Sequence, residues 1–282
     1  LSMIMFRRPK LDPNTLCQLC GKRPAVSREH LPAQSAGNRG KVSISYLHTV
    51  PGLAEMQAHS IESCDGFWVP ALCDKCNKTT GAKFGTSYAD FVEQIASATP
   101  ILEREDRAFI ALKRIHPLRV MKQMFSMFLC AAPYAPAEPW RALQDFVLHR
   151  DSRLSLNAPS VYLYMNTSRQ GRIVPCCGIV DLQTHVPLVI SEISWPPLGI
   201  VFSFHPNRLF DDMQDISNWG SFAYDQAVNV SLMLPMHRVN THYPLGFGSA
   251  KRIQQKPWIY MYHVPKGSTS QLNYSAVVEP RR

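Results

Sequence analysis

Apolar positions along the chain follow two periods, and the change from one to the other divides it. Lys41-Val-Ser-Ile-Ser-Tyr46 alternates, which suits a short strand. Between Ser87 and Ala98, Phe91 and Ile95 share a helical face with Ala89 beside them, so a helix is expected there. Two more helices are expected at 105–115 and 117–131. Phe109, Leu112, Met121, Met124, Phe125 and Phe128 supply their apolar faces, and Arg104, Arg107, Lys113, Arg114, Arg119 and Lys122 their basic ones. Pro117 fits the first turn of the second, where its missing N–H costs nothing. A further helix is expected from Pro139 to His149. From Ser160 onward the texture turns β. Val161 to Met165, Arg172 to Val174, Val186 to Ile190 and Leu198 to Ser203 are short β-branched and aromatic runs, as in an antiparallel meander. Ser191 to Gly199 reads as sheet edge and turn, because the Pro196-Pro197 pair cannot lie inside a hydrogen-bonded ladder. Trp195 in that stretch is expected in the core.

The fold class expected is therefore α+β. Thr99-Pro100 marks the boundary between units 1–99 and 100–282, since a proline disfavours helix in the residue before it. A length of 282 residues suits two domains. With 45% hydrophobic and 18% charged residues the chain can bury a core, which excludes wholesale disorder. No stretch approaches the ~18 apolar residues of a membrane span, and Met124 to Ala135, the most apolar, reads as a core helix. The first residues lack the order of a secretory signal, so a cytoplasmic protein with no membrane association is expected. The net charge of +9 suits a polyanionic partner, although a basic surface also serves solubility.

Chemistry enters with the cysteines. Of eight, four form the pairs Cys17-Gln-Leu-Cys20 and Cys73-Asp-Lys-Cys76. Each gap lets two thiolates converge on one ion, and four thiolates satisfy tetrahedral Zn²⁺. Gly21 supplies the tight turn after the first pair. Buried cysteines can also serve as small apolar residues, but two matched pairs favour a metal. Cys64 lacks a partner at ligand spacing, and Cys176-Cys177 is too tight for a normal bite. His48 and His59 read as loop histidines. Between the pairs lies Ser27-Arg28-Glu29-His30-Leu31-Pro32. A carboxylate can hold a divalent ion while a neighbouring imidazole takes a proton from water.

Taken in order, Cys-x2-Cys, Arg-Glu-His-Leu-Pro and Leu-Cys-Asp-Lys-Cys-Asn-Lys-Thr-Thr-Gly resemble the ββα-metal nucleases called HNH endonucleases. The match is to the zinc-ribboned branch that ends in Cys-x2-Cys-Asn, and it covers roughly residues 15–98. The resemblance implies an N-terminal ββα-metal module with structural zinc on Cys17, Cys20, Cys73 and Cys76. An α+β domain follows it, helices first and an antiparallel sheet afterwards. It also implies that His30 is the general base, and that Glu29 and Asn77 hold a catalytic Mg²⁺ or Mn²⁺. One departure stands out. The family's middle asparagine, which braces the hairpin, has no evident counterpart: Asn38 comes too early and residues 60–72 contain none. Asp65 or a backbone carbonyl is left as the substitute.

The activity implied is phosphodiester hydrolysis in nucleic acid, DNA first, as in an anti-phage or restriction effector. Residues 100–282 are then left to bind substrate, a protein partner or an activating signal. Arg28, Lys78, Lys113, Arg114, Arg119 and Lys122 are the expected phosphate contacts, with ordinary solvated helix faces as the alternative. The competing function is a catalytically silent, zinc-stabilised binding or scaffold subunit.

Overall fold

The computed structural model describes residues 15–48, 57–98, 106–131, 140–155, 158–181, 187–204, 210–240, 245–247, 258–261 and 275–280. The Thr99-Pro100 boundary and Arg104 lie outside them. Four strands and two helices come first: β1 (Ser27–His30), β2 (Val42–His48), β3 (Gln57–Ser63), β4 (Trp68–Leu72), α1 (Asp74–Thr80) and α2 (Thr86–Ala98), with the β2–β3 hairpin an excursion between β1 and β4. Then follow β5 (Arg107–Ile115), α3 (Pro117–Ala131) and α4 (Trp140–Leu148). The remaining strands are β6 (Ser160–Asn166), β7 (Gly171–Asp181), β8 (Pro187–Trp195), β9 (Leu198–Ser203), β10 (Gln214–Asp215), β11 (Val228–His237), β12 (Trp258–Met261) and β13 (Ser275–Pro280).

The architecture is α+β. Among the described residues, β1 and β4 pair as a two-stranded sheet and the other 11 strands join one large sheet. Its order is β3-β2-β13-β7-β8-β9-β6-β11-β5, with β10 on β6 and β12 on β7. Its pairings are antiparallel except that of β6 with β11. The β2–β3 hairpin, early in the chain, joins the sheet through β13 near its end. One continuous apolar cluster runs from Cys17, Leu31 and Phe84 through α3 to Phe202, so residues on both sides of 99 share a core. Strand alternation places Tyr162, Tyr164 and Val201 in a second cluster on the opposite face, where Phe210 and Phe247 pack against the two tyrosines.

Periodicity located α2, α3, α4, β6 and β9 to within a few residues, and the starts of β7 and β8, which run on to Asp181 and Trp195. It misplaced 105–115, which is strand and not helix. Ala108, Ile110 and Leu112 face inward while Arg107, Phe109, Ala111 and Lys113 are exposed, a period of two. Phe109 and Leu112 also satisfy a helical spacing, and the decision falls to β11, which pairs with β5 from Val228 to Pro235. The stretch 191–199 needs a similar correction. Ser191 to Trp195 lie inside β8, bonded on both sides by β7 and β9. The two prolines form only the tight turn to Leu198. Trp195 is buried as expected.

Helix α3 organises the middle of the molecule. Every residue except Arg119 is buried, as expected of a helix packed on all sides. Phe125 and Phe128 meet Phe202 of β9, and Phe125 also meets Phe146 of α4. Lys122 is fully buried, and its Nζ donates to the carbonyls of Phe146, His149 and Ser152 and to Ser152 Oγ, closing the C-terminus of α4. Burial pushes its pKa down to about 7 against the pull of Asp151. Lys122 is therefore a structural cap, and its expected role as a phosphate contact is corrected.

The far face carries a fully buried ion pair. Arg172 donates to Glu192 through Nε at 3.0 Å and Nη2 at 2.7 Å, and to Gly246 O through Nη1 at 2.9 Å. Tyr164 donates to the same carboxylate, and Gly199 leaves room for its ring: a Cβ there would lie 2.0 Å from Tyr164. Removing one partner strands a buried charge, which costs about 3–5 kcal/mol. Glu192→Leu is expected to lower unfolding free energy by about that amount in urea denaturation, and adding Arg172→Met to recover part of it. A single variant as stable as wild type contradicts this account of the pair.

Candidate functional site

The first cysteine pair sits on a turn closed by Gly21 N to Cys17 O at 2.8 Å, with Gly21 at φ +61°. Gln18 N donates to Ala71 O of β4 at 2.8 Å, which carries that turn to the second pair. Cys73 precedes α1 as its N-cap residue and Cys76 lies in its first turn. The four sulfurs all lie within 4.8 Å of one another, with Cys20 and Cys73 at 4.0 Å. Tetrahedral Zn–S bonds of ~2.3 Å place sulfurs about 3.8 Å apart, so the cluster is compatible with structural zinc. Burial and the neighbouring sulfurs of Cys17 and Cys20 push the Cys76 thiol far above its ordinary range. A dication removes that conflict by neutralising the thiolates.

β1 runs antiparallel to β4, with Glu29 opposite Val69 and His30 opposite Trp68. A register shift between Ser27 and Arg28 opens the start of the strand, and α1 closes over it. Asn77 donates from Nδ2 to Ser27 Oγ at 2.6 Å and to Arg28 O at 3.1 Å. Its nitrogen is thus committed, and Oδ1 is the polar end left for a ligand. Beyond α1 a π turn, Gly81–Gly85, leads into α2. Such turns recur at functional sites, and here both glycines reach a cavity of about 510 Å³ that Arg28, Glu29, His30 and Asn77 also line.

Glu29 is 5% exposed, and among the described residues its carboxylate has no hydrogen bond or ion pair. Burial alone pushes its pKa up to about 7. His30 Nε2 lies 3.0 Å from the backbone oxygen of Asp65 and 3.6 Å from its Oδ2. A carbonyl only accepts, so Nε2 donates and Nδ1 of the neutral ring keeps its lone pair. Gln34 Nε2 holds the Asp65 carboxylate at 2.7 Å. Glu29, His30 and Asn77 are thus brought to one cavity.

Asn38 corrects the reading that placed it too early to matter. It is fully buried, and Nδ2 donates to Pro32 O and Phe67 O at 2.7 Å each. Its Oδ1 accepts from Phe67 N at 2.7 Å. One amide therefore clamps the chain leaving β1 to the chain entering β4. Gly66 sits at φ +64° against it, where any Cβ would lie 2.3 Å from Asn38 Oδ1. The β2–β3 excursion explains why spacing hid the brace: it moves Asn38 far from Phe67 in sequence and leaves them adjacent in space. Asp65 orients His30 and does not take the brace.

The basic residues scatter. Arg28 lines the cavity, with its guanidinium 4.6 Å over the Trp68 ring. Lys78 is exposed on α1, next to Asn77. Lys113 and Arg114 are exposed on β5, away from the cavity lining. Arg119 is occupied by Tyr224 O and the Asp225 carboxylate. Tyr88 is buried core. Cys64 is exposed and Cys177 buried. The side chains of His48 and His59 lie outside the described set.

Comparison with protein-family models, curated proteins and solved structures finds no match. Among the described residues no helix is long and apolar enough to cross a membrane.

Two outcomes follow from this geometry. Metal analysis of the purified chain is expected to return one zinc per chain, and Cys73→Ser to lose it together with a large part of the stability of residues 15–98. A zinc-free wild type with an unchanged melting temperature contradicts the cluster as a metal site. Asn38→Ala is expected to cost at least 2 kcal/mol, roughly the upper part of the range for stranding buried polar groups, because Phe67 N–H and Pro32 O lose the amide that pairs them while Phe67 O keeps only Leu31 N–H. Urea unfolding measures it, and a loss under ~0.5 kcal/mol counts against the brace.

Proposed function

We propose that this chain is a metal-dependent endonuclease of the HNH type, hydrolysing phosphodiester bonds in nucleic acid, DNA first. The observation that carries the reading is Glu29, a buried carboxylate without a protein partner, in one cavity with His30 and Asn77. An unpaired buried carboxylate is costly, and a cation at a catalytic centre is a reason to keep one. The supporting frame is the order β1, β4, α1 with a sulfur cluster at its root, the arrangement that the sequence motifs resemble. Asn38 adds to it, because a buried asparagine bracing the hairpin is what the resemblance required.

Each residue has a part. Glu29 and Asn77 Oδ1 would hold a divalent ion, and oxygen donors of this kind suit Mg²⁺ or Mn²⁺, as thiolates suit Zn²⁺. When bound, that ion supplies positive charge for the phosphate and the leaving 3′ oxygen. His30, fixed by Asp65, receives the proton of the attacking water at Nδ1. Arg28, held over Trp68, offers its guanidinium to a phosphate oxygen, and Lys78 adds a point charge beside it. Such an enzyme meets its substrate in the cytoplasm, with residues 100–282 available to a partner or activating signal.

Plasmid cleavage by the purified protein with Mg²⁺ or Mn²⁺ tests this. The wild type is expected to cut only with metal. His30→Ala is expected to lose at least ~10²-fold in rate, the lower range for a general base, with zinc content and circular dichroism unchanged. Cleavage by His30→Ala at the wild-type rate removes His30 from the mechanism. A wild type that cuts neither DNA nor RNA with either metal contradicts the nuclease reading.

A further inference from the structure

The cavity has a wall that no sequence motif announced. Gln123 of α3 lines it together with Glu29, His30 and Asn77. Gln123 is 2% exposed, and its Oε1 has no hydrogen-bond partner. One turn along the same helix, Ser126 Oγ is also buried without a partner. Burying an amide oxygen unpaired costs roughly 1–3 kcal/mol. Leucine or methionine would fill the position in so apolar a helix without that cost. Neighbouring Lys122 shows the contrast, since it too is buried but gives its protons to four oxygens. Gln123 thus lines the cavity and carries a buried amide oxygen without a hydrogen-bond partner.

We propose that Gln123 is an oxygen donor to the hydrated divalent cation of this cavity, so that α3 completes a site otherwise built from β1 and α1. The proposal rests on the nuclease reading for the presence of the cation and adds a ligand from outside residues 1–99. Carboxylate and amide oxygens with water form a hard donor set, which selects Mg²⁺ or Mn²⁺ over thiophilic ions. Because α3 is buried on nearly every side, this donor is rigid.

Mn²⁺ binding, followed by the loss of the free-ion signal in electron paramagnetic resonance, tests the proposal without reference to cleavage. The zinc-loaded full chain is titrated as wild type, Glu29→Gln, Gln123→Met, Gln123→Asn and Gln123→Glu. Gln123→Met is expected to weaken Mn²⁺ binding about tenfold, the scale of outer ligands to a metal. It should melt without Mn²⁺ at or above the wild-type temperature, because it removes an unpaired acceptor. Gln123→Asn, which withdraws the oxygen, should weaken binding as well, and Gln123→Glu should retain it. If Glu29→Gln loses Mn²⁺ while Gln123→Met and Gln123→Asn bind as wild type, the assignment of Gln123 is overturned and the site itself stands. If Glu29→Gln also binds as wild type, the cavity is not the cation site and both readings fall.

Discussion

Four sulfurs drawn within 4.8 Å of one another govern how the candidate site is assembled. They join the turn before β1 to the turn that starts α1, two segments more than fifty residues apart. Once these are tied, α1 lies across the opened start of β1, and Asn77 reaches Ser27 and Arg28. Without the tie, a four-residue strand and a seven-residue helix have little to hold them together. Four sulfurs this close are compatible with a structural zinc, whose charge would offset the repulsion among their thiolates.

At the opposite end of β1 the constraint is different. Asn38 spends three hydrogen bonds on joining the exit of β1 to the entry of β4. This sets where the chain around Asp65 passes His30, and so which ring nitrogen is engaged. The site is therefore clamped by sulfur at its root and by an amide at its tip. Behind both lies α3, whose apolar residues continue the core into the large sheet and whose Gln123 reaches the cavity. Helix α3 packs on β1 and β4 and so gives that small unit a floor. The buried pair of Arg172 and Glu192 belongs to the sheet's far face and ties the segment 245–247 to it.

What could be read in the sequence was local. The cysteine pairs stood out because a two-residue gap is a short-range signature, and α2 to α4 did so because an amphipathic face repeats within a few turns. β5 failed for the opposite reason: its nine residues fit either period, and a strand more than a hundred residues later makes it a strand. Asn38 was hidden by an inserted hairpin, Lys122 by sharing its charge type with solvated neighbours. Gln123 carries no pattern at all, since one glutamine on an apolar helix reads as nothing until the cavity beside it is seen. Each miss is a contact between distant segments, which periodicity does not encode.

Anomalous scattering from crystals of the full chain soaked in manganese, recorded at the manganese and zinc edges, tests the central claim most directly. The account predicts a zinc peak among Cys17, Cys20, Cys73 and Cys76 and a separate manganese peak in the cavity beside Glu29 and Asn77. Manganese found away from that cavity, or nowhere in the protein, would contradict it.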